Sequence, residues 1–158
     1  MRILAAMIVL TALLGCSGES TMPPGFNQAC YGGDFSKNLA GAKPAYSATL
    51  ALDRSSQPIL RNILFQLADK HHLKAFDEGA NYKGQFFSVY LCSSKGAFVL
   101  VDSRAAGENM MRIDVFSYRE SWRPESFVSD LQTALVSQWP KGLQRKDLSD
   151  TTLKNSIL

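Results

Sequence analysis

The sequence predicts an α+β domain, a two-layer sandwich in which a mostly antiparallel sheet of four to five strands carries two amphipathic helices on one face. Three observations predict it. Ile59, Leu60, Ile63, Leu64, Leu67 and Ala68 recur at helical spacing, and Phe127, Val128, Leu131, Ala134, Leu135 and Trp139 repeat the pattern later in the chain. Met111, Ile113 and Val115 alternate with Arg112 and Asp114, the period of a strand with one packed and one wet face. Short apolar runs separated by turn residues lie between the two helical stripes. An apolar helix stripe and a one-sided sheet each need a surface to lie against, and each supplies it to the other.

The elements follow in order. Tyr46 to Leu52 alternates loosely as a strand. Ser55-Ser56-Gln57-Pro58 predicts a helix start, with Ser56 as N-cap and Pro58 in the first turn, where its missing N–H costs nothing. That helix should stop near His71-His72, and Leu73 to Phe76 returns as a short strand. A polar loop is expected from Asp77 to Gly84. Phe86 to Cys92 then places Phe87, Val89 and Leu91 on one face. Ser93-Ser94-Lys95-Gly96 is a tight turn with Gly96 suited to a positive φ. Ala97 to Val101 is apolar on both faces and reads as a central strand. A turn at 105–109 leads into the alternating Met111 strand. Pro124 opens the second helix and Pro140 ends it.

The N-terminus carries an address. Met1-Arg2 precedes the apolar run Ile3 to Leu14 and then Gly15-Cys16, an arrangement of a secretory signal and too short for a membrane span. Leu13-Leu14-Gly15-Cys16 resembles the lipobox of bacterial lipoproteins, in which the chain is cut before the cysteine and that residue is acylated. The resemblance covers the signal and Cys16 only. It implies lipid attachment at Cys16 and anchoring to a membrane by more than one fatty chain, since one alone binds only marginally. Ser17, in place of the Asp associated with inner-membrane retention, implies the outer membrane, facing the periplasm. The chain therefore divides into a signal peptide (1–15), a lipidated tether and extended arm (16–43), one α+β domain (44–140) and a polar C-terminal tail (141–158).

An oxidising compartment gives the other cysteines a role. With Cys16 acylated, Cys30 and Cys92 remain and are expected to pair. The alternative, a reactive or metal-bound thiol, lacks a CxxC pattern or a neighbouring ligand pair. Removing the signal takes Arg2 from the seventeen basic residues, leaving sixteen against fourteen acids. That near balance offers nothing for nucleic acid, and Lys141, Arg145 and Lys146 are matched nearby by Asp147 and Asp150.

Catalytic and metal chemistry find little support. His71 and His72 are the only histidines, and neighbours on a helix point about 100° apart, unlike the i, i+4 ligand pair of a helical metal site. An imidazole near the negative end of a helix dipole is the simpler reading. There is no G-x-S-x-G elbow and no phosphate-binding glycine loop. Asp102 and Asp114 read as wet-face or strand-end residues. No cofactor and no metal is expected.

The aromatics point elsewhere. Tyr90, Phe116 and Tyr118 belong to the sheet face opposite the helices, with Arg112 and Asp114 beside them and Trp122-Arg123 following. Aromatic and arginine side chains exposed together are the usual anchors of a protein interface. Equally, the arm that Cys30 brings to Cys92 would cover that face. The candidate partner-binding residues are Tyr82, Lys83, Arg112, Tyr118, Trp122 and Arg123. The expectation is a non-enzymatic lipoprotein held to the membrane by its lipid and binding a protein partner, most specifically an inhibitor or immunity protein neutralising a secreted antibacterial toxin. The alternative is an accessory lipoprotein of an envelope assembly or secretion complex, for which Tyr46 to Leu52 would be an edge strand open to a partner's sheet.

Overall fold

The computed structural model describes Cys30, residues 42–81 and residues 83–146. The expected signal peptide, Cys16, most of the arm, Tyr82 and the last twelve residues of the chain lie outside the described residues.

Strand β1 (Tyr46–Ala51) leads through a 3₁₀ turn (Arg54–Ser56) into helix α1 (Gln57–Lys70). Then come strand β2 (Lys74–Asp77), a single helical turn α2 (Glu78–Asn81) and strands β3 (Ser88–Cys92), β4 (Ala97–Asp102) and β5 (Met110–Ser117). Helix α3 (Glu125–Gln138) and strand β6 (Leu143–Arg145) follow. The six strands form one sheet in the order β2-β3-β4-β5-β1-β6. Every pairing is antiparallel. The architecture is thus the expected α+β sandwich, with one strand more than the upper expectation.

Chain path explains the order. Helix α1 carries the chain from β1 across the sheet to β2 at the far edge. The β2–β5 meander then returns strand by strand until β5 pairs with β1, with Leu50 opposite Met111 and Ala48 opposite Ile113. The tight turn at 93–96 sets the β3–β4 register: Gly96 has φ +112°, and a Cβ there would fall 2.5 Å from that of Arg119.

The helix-side face holds the main core. Val89, Leu91, Val99, Val101, Ile113 and Val115 are fully buried against Leu60, Leu64, Phe127, Leu131 and Leu135. Each such aliphatic contributes about 2 kcal/mol through area removed from water. The C-terminal end of α1 also joins α3, where Lys70 Nζ and His71 Nε2 lie 2.8 and 2.7 Å from Asp130 Oδ2. His71 stands edge-on to Phe127 with ring centroids 5.3 Å apart.

Helix ends refine the expectations. Ser56 makes no capping hydrogen bond; Asp53 Oδ1 accepts from the Ser56 N–H at 2.9 Å and so caps the preceding turn. Helix α1 ends at His71-His72 as expected. There His72 takes φ +55°, the Leu73 N–H donates to Ala68 O and the His72 N–H to Asp69 O, so a histidine fills the left-handed position usual for glycine in this stop. The loop expected over 77–84 instead contains the end of β2 and all of α2, because Asp77 Oδ1 accepts the Ala80 N–H at 3.0 Å and starts a helical turn.

Two further corrections concern the sheet. β1 is not an edge. The segment expected to be a polar tail supplies β6, which pairs Thr49 with Gln144 and Leu50 with Leu143. The Ala51 N–H donates to Gly142 O, and Leu143 packs against the core. Nor is the face away from the helices wet along its length: Asp102 and Asp114 are only 5% and 2% exposed.

Candidate functional site

The outer face of the sheet divides into an apolar end and a polar end, and strand register lays them out. One row across the sheet reads Cys92, Phe98, Phe116; the next Phe76, Tyr90, Leu100, Asp114, Ser47; the third Ser88, Asp102, Arg112, Thr49.

The apolar end is closed by the Cys30–Cys92 disulfide, whose Cα atoms are 5.5 Å apart. Cys30, Tyr90, Cys92, Phe98 and Phe116 form a second buried cluster, with Phe98 near Tyr90 and Phe116 at centroid distances of 6.0 and 5.8 Å. The Tyr118 hydroxyl reaches Ser93 O at 2.8 Å and Cys30 O at 3.1 Å, so it holds Cys30 to the turn after β3. Cys30 therefore covers part of this face.

The polar end holds a buried network. Glu78, at the start of α2, is 6% exposed, and its Oε2 accepts from the Tyr90 hydroxyl at 2.6 Å and the Ser88 hydroxyl at 3.1 Å. At the end of β4, Asp102 takes Arg104 Nε at 3.1 and 2.9 Å on its two oxygens and Nη2 at 2.5 Å. Nη2 also reaches Glu78 Oε2 at 3.3 Å. The guanidinium carbon sits 4.3 Å over the Phe86 ring centroid. Arg104 is thus clamped on one side and 48% exposed on the other, and its Nη1 makes no hydrogen bond among the described residues. Burial, then the Glu78 carboxylate, pushes the Tyr90 phenol up to about 12, so Tyr90 is a firm donor at neutral pH. The hydrogen bond to Asp102 raises Arg104 further above its ordinary value, keeping it charged.

Beside this network, Arg112 Nε lies 2.6 Å from Asp114 Oδ2, and the Ser47 hydroxyl donates to Asp114 Oδ1 at 2.7 Å. This ion pair is largely shielded, since the Arg112 side chain is 17% exposed.

The residues expected to form one contact patch are scattered. Tyr82 lies outside the described residues. Lys83 is exposed in the loop before β3, near the Arg104 end. Arg112 is engaged by Asp114, and Tyr118 anchors Cys30. Trp122 turns to the helix side and packs against the main core near Phe127. Arg123 is exposed at the opposite end from Lys83. Sequence reasoning missed Glu78, Phe86 and Arg104. One signal was present: a tight turn at 93–96 pairs Ser88 with Asp102 and so sets two polar residues side by side on the outer face.

Among the described residues no group of three or more His, Cys, Asp or Glu side chains is arranged to hold a metal ion, and no helix is long and apolar enough to cross a membrane. What the polar end presents is a fixed, half-exposed guanidinium whose Nη1 donor is unused among the described residues. No protein-family model, no curated protein and no solved structure matches this chain.

Proposed function

We propose that this chain is a non-enzymatic, membrane-anchored lipoprotein that binds a protein partner in the periplasm, most specifically an inhibitor that neutralises a secreted antibacterial toxin. Arg104 carries the reading. Arginine is enriched at interface hot spots, and a group already locked in its bound geometry loses little entropy on association. Asp102, Glu78 and Phe86 fix the guanidinium, leaving Nη1 to meet a partner carboxylate or carbonyl. Lys83 in the adjoining loop adds a second exposed cation at the same end.

The tether supports the same reading. Thirteen residues lie between Cys16 and Cys30, which is bonded to β3. At full extension that length reaches roughly 50 Å. An anchored domain is then confined near the membrane, where a captured enzyme would be intercepted.

The test is to purify the tagged lipoprotein from its own envelope, identify a co-purifying secreted enzyme, and titrate that enzyme's activity. Stoichiometric inhibition is expected. Arg104→Lys keeps the charge but loses the planar fork, so it should weaken inhibition about tenfold or more when measured well below the melting temperature of the variant, where circular dichroism shows it folded. Recovery of an integral envelope complex, or full inhibition by Arg104→Lys, overturns the reading.

A further inference from the structure

The two ends of the sheet differ in how their charges are used. At the end far from the disulfide, the arginines are engaged, Arg61 with Asp77 and Arg104 with Asp102 and Glu78, while Lys83 and Lys141 are exposed there without ion pairs among the described residues. Arg54 there turns toward the Gly84 and Gln85 carbonyls. The disulfide end is different. Lys74 stands opposite Cys92 at the start of β2. Lys95 is in the turn directly after β3. Arg119 and Ser121 are stitched to that turn, the Arg119 Nη1 donating to Ser94 O at 3.0 Å and the Ser121 hydroxyl to Lys95 O at 2.6 Å. Arg123 follows. Lys43 arrives at the same end, because the Ala45 N–H donates to Val115 O and lays the incoming chain beside the end of β5.

All five cations are exposed, and none forms an ion pair among the described residues. The exposed acids near these five cations are Glu120 and Glu125 beside Arg119 and Arg123, and Asp69 in the last turn of α1 ahead of Lys74. The rim is therefore basic in excess, and the hydrogen bonds from Arg119 and Ser121 hold its two loops together. The chain leading back to Cys16 joins the domain at this same end, through Cys30 and Cys92. A tether draws the end it joins toward the membrane, and unpaired cations at that end complement a negatively charged surface.

We infer that the rim formed by Lys43, Lys74, Lys95, Arg119 and Arg123 is a docking surface for anionic phospholipid headgroups. It seats the domain with its disulfide end on the membrane and its Arg104 end pointing away. The inference rests on the tethered reading for the geometry of approach, whereas the charge distribution stands without it. Each cation near such a surface strengthens association about fivefold, and the attraction fades within a Debye length, so it is sensitive to salt.

The test uses the full lipoprotein mixed with vesicles of phosphatidylcholine alone, or of phosphatidylcholine and phosphatidylglycerol in equal parts. Co-sedimentation reports attachment, and amide hydrogen exchange over 93–96 and 118–123 reports seating. Retention on both vesicles with exchange slowed several-fold only on the anionic ones is the expected result. High salt, or the variant Lys43→Gln, Lys74→Gln, Lys95→Gln, Arg123→Gln, should abolish the slowing, while Lys141→Gln at the opposite end leaves it intact. Equal exchange on both vesicles, or slowing that survives the fourfold variant, overturns the docking surface. Failure to sediment with neutral vesicles counts against the tether alone. In that case sedimentation with anionic vesicles, weakened about fivefold per cation removed, still supports the rim, and its absence overturns it.

Discussion

Tyr90 shows how one side chain joins the two halves of the outer face. Its ring lies in the aromatic cluster with Phe98, and its hydroxyl donates to Glu78. Its phenol is raised to about 12, above the unfolded value near 10, so the folded state holds this proton more tightly. The resulting stabilisation is complete below pH 10 and is lost as pH rises through 12. An alkaline absorbance titration should therefore show a tyrosine that ionises only near pH 12, and Tyr90→Phe should remove that late step. The substitution also deletes a hydrogen bond to a carboxylate, so denaturant unfolding should show a loss of about 2 kcal/mol. A second residue-scale prediction concerns Arg112. Arg112→Met leaves the buried Asp114 carboxylate with only the Ser47 hydroxyl among the described residues, and should destabilise by about 3 kcal/mol. Combining it with Asp114→Leu should recover much of that loss, because an apolar pair removes the unpaired charge. Urea unfolding of the two variants checks both statements. None of these partnerships was legible in the sequence. Alternation placed Arg112 and Asp114 on the outer face correctly, but period alone does not reveal what covers a face, so both were read as wet.

At the scale of elements, periodicity was enough wherever an apolar stripe decided the structure. α1 and α3 lie where their patterns predict, since each buries a single face against the sheet, and β4 lies where a run apolar on both faces predicts a central strand. Reading failed where a short polar side chain set the geometry, as with Asp77 starting α2. The pairing of Cys30 with Cys92 was legible from the cysteine count together with the oxidising compartment that the N-terminus led us to expect, and it has a consequence for stability. Its 62-residue separation is worth about 4 kcal/mol in the chain-entropy model. The double variant Cys30→Ala, Cys92→Ala should melt well below the parent, and the reductant-treated parent should melt with the variant. The contact between the helices predicts an acid effect. The Asp130 carboxylate is held below its usual range by Lys70 first and His71 second. A depressed carboxylate stabilises the fold at pH values above its unfolded value, and that contribution disappears as pH falls through the lower folded value. Asp130→Asn should accordingly flatten the acid limb of a plot of melting temperature against pH below about pH 4, and leave the alkaline limb unchanged.

For the whole molecule, the sheet closes through residues at both ends of the described domain. β1 opens the chain path, yet it sits between β5 and β6, so the fold is finished only when the segment after α3 returns along β1. Three β6 residues carry this out. The Ala51 and Lys146 N–H groups bond to Gly142 and Ser47 carbonyls at either end of the pairing, Leu143 covers the core, and Arg145 lies over the Tyr46 ring. Such a strand is nearly invisible to pattern reading, because three residues cannot display a period and Lys141, Arg145 and Lys146 read as a solvated tail. A chain ending at Pro140 ought then to lose the β6 hydrogen bonds and the cover on Leu50, and to expose β1 as an unpaired edge. The expected cost relative to a chain ending at Lys146 is about 3 kcal/mol, which for a domain of this size lowers the melting temperature by roughly 10–20 °C. The shorter chain should also self-associate, since an open edge strand templates pairing with another copy. Calorimetry and light scattering on the two truncations give the answer, and equal melting with equal monomer content would show that β6 contributes nothing to closing the sheet.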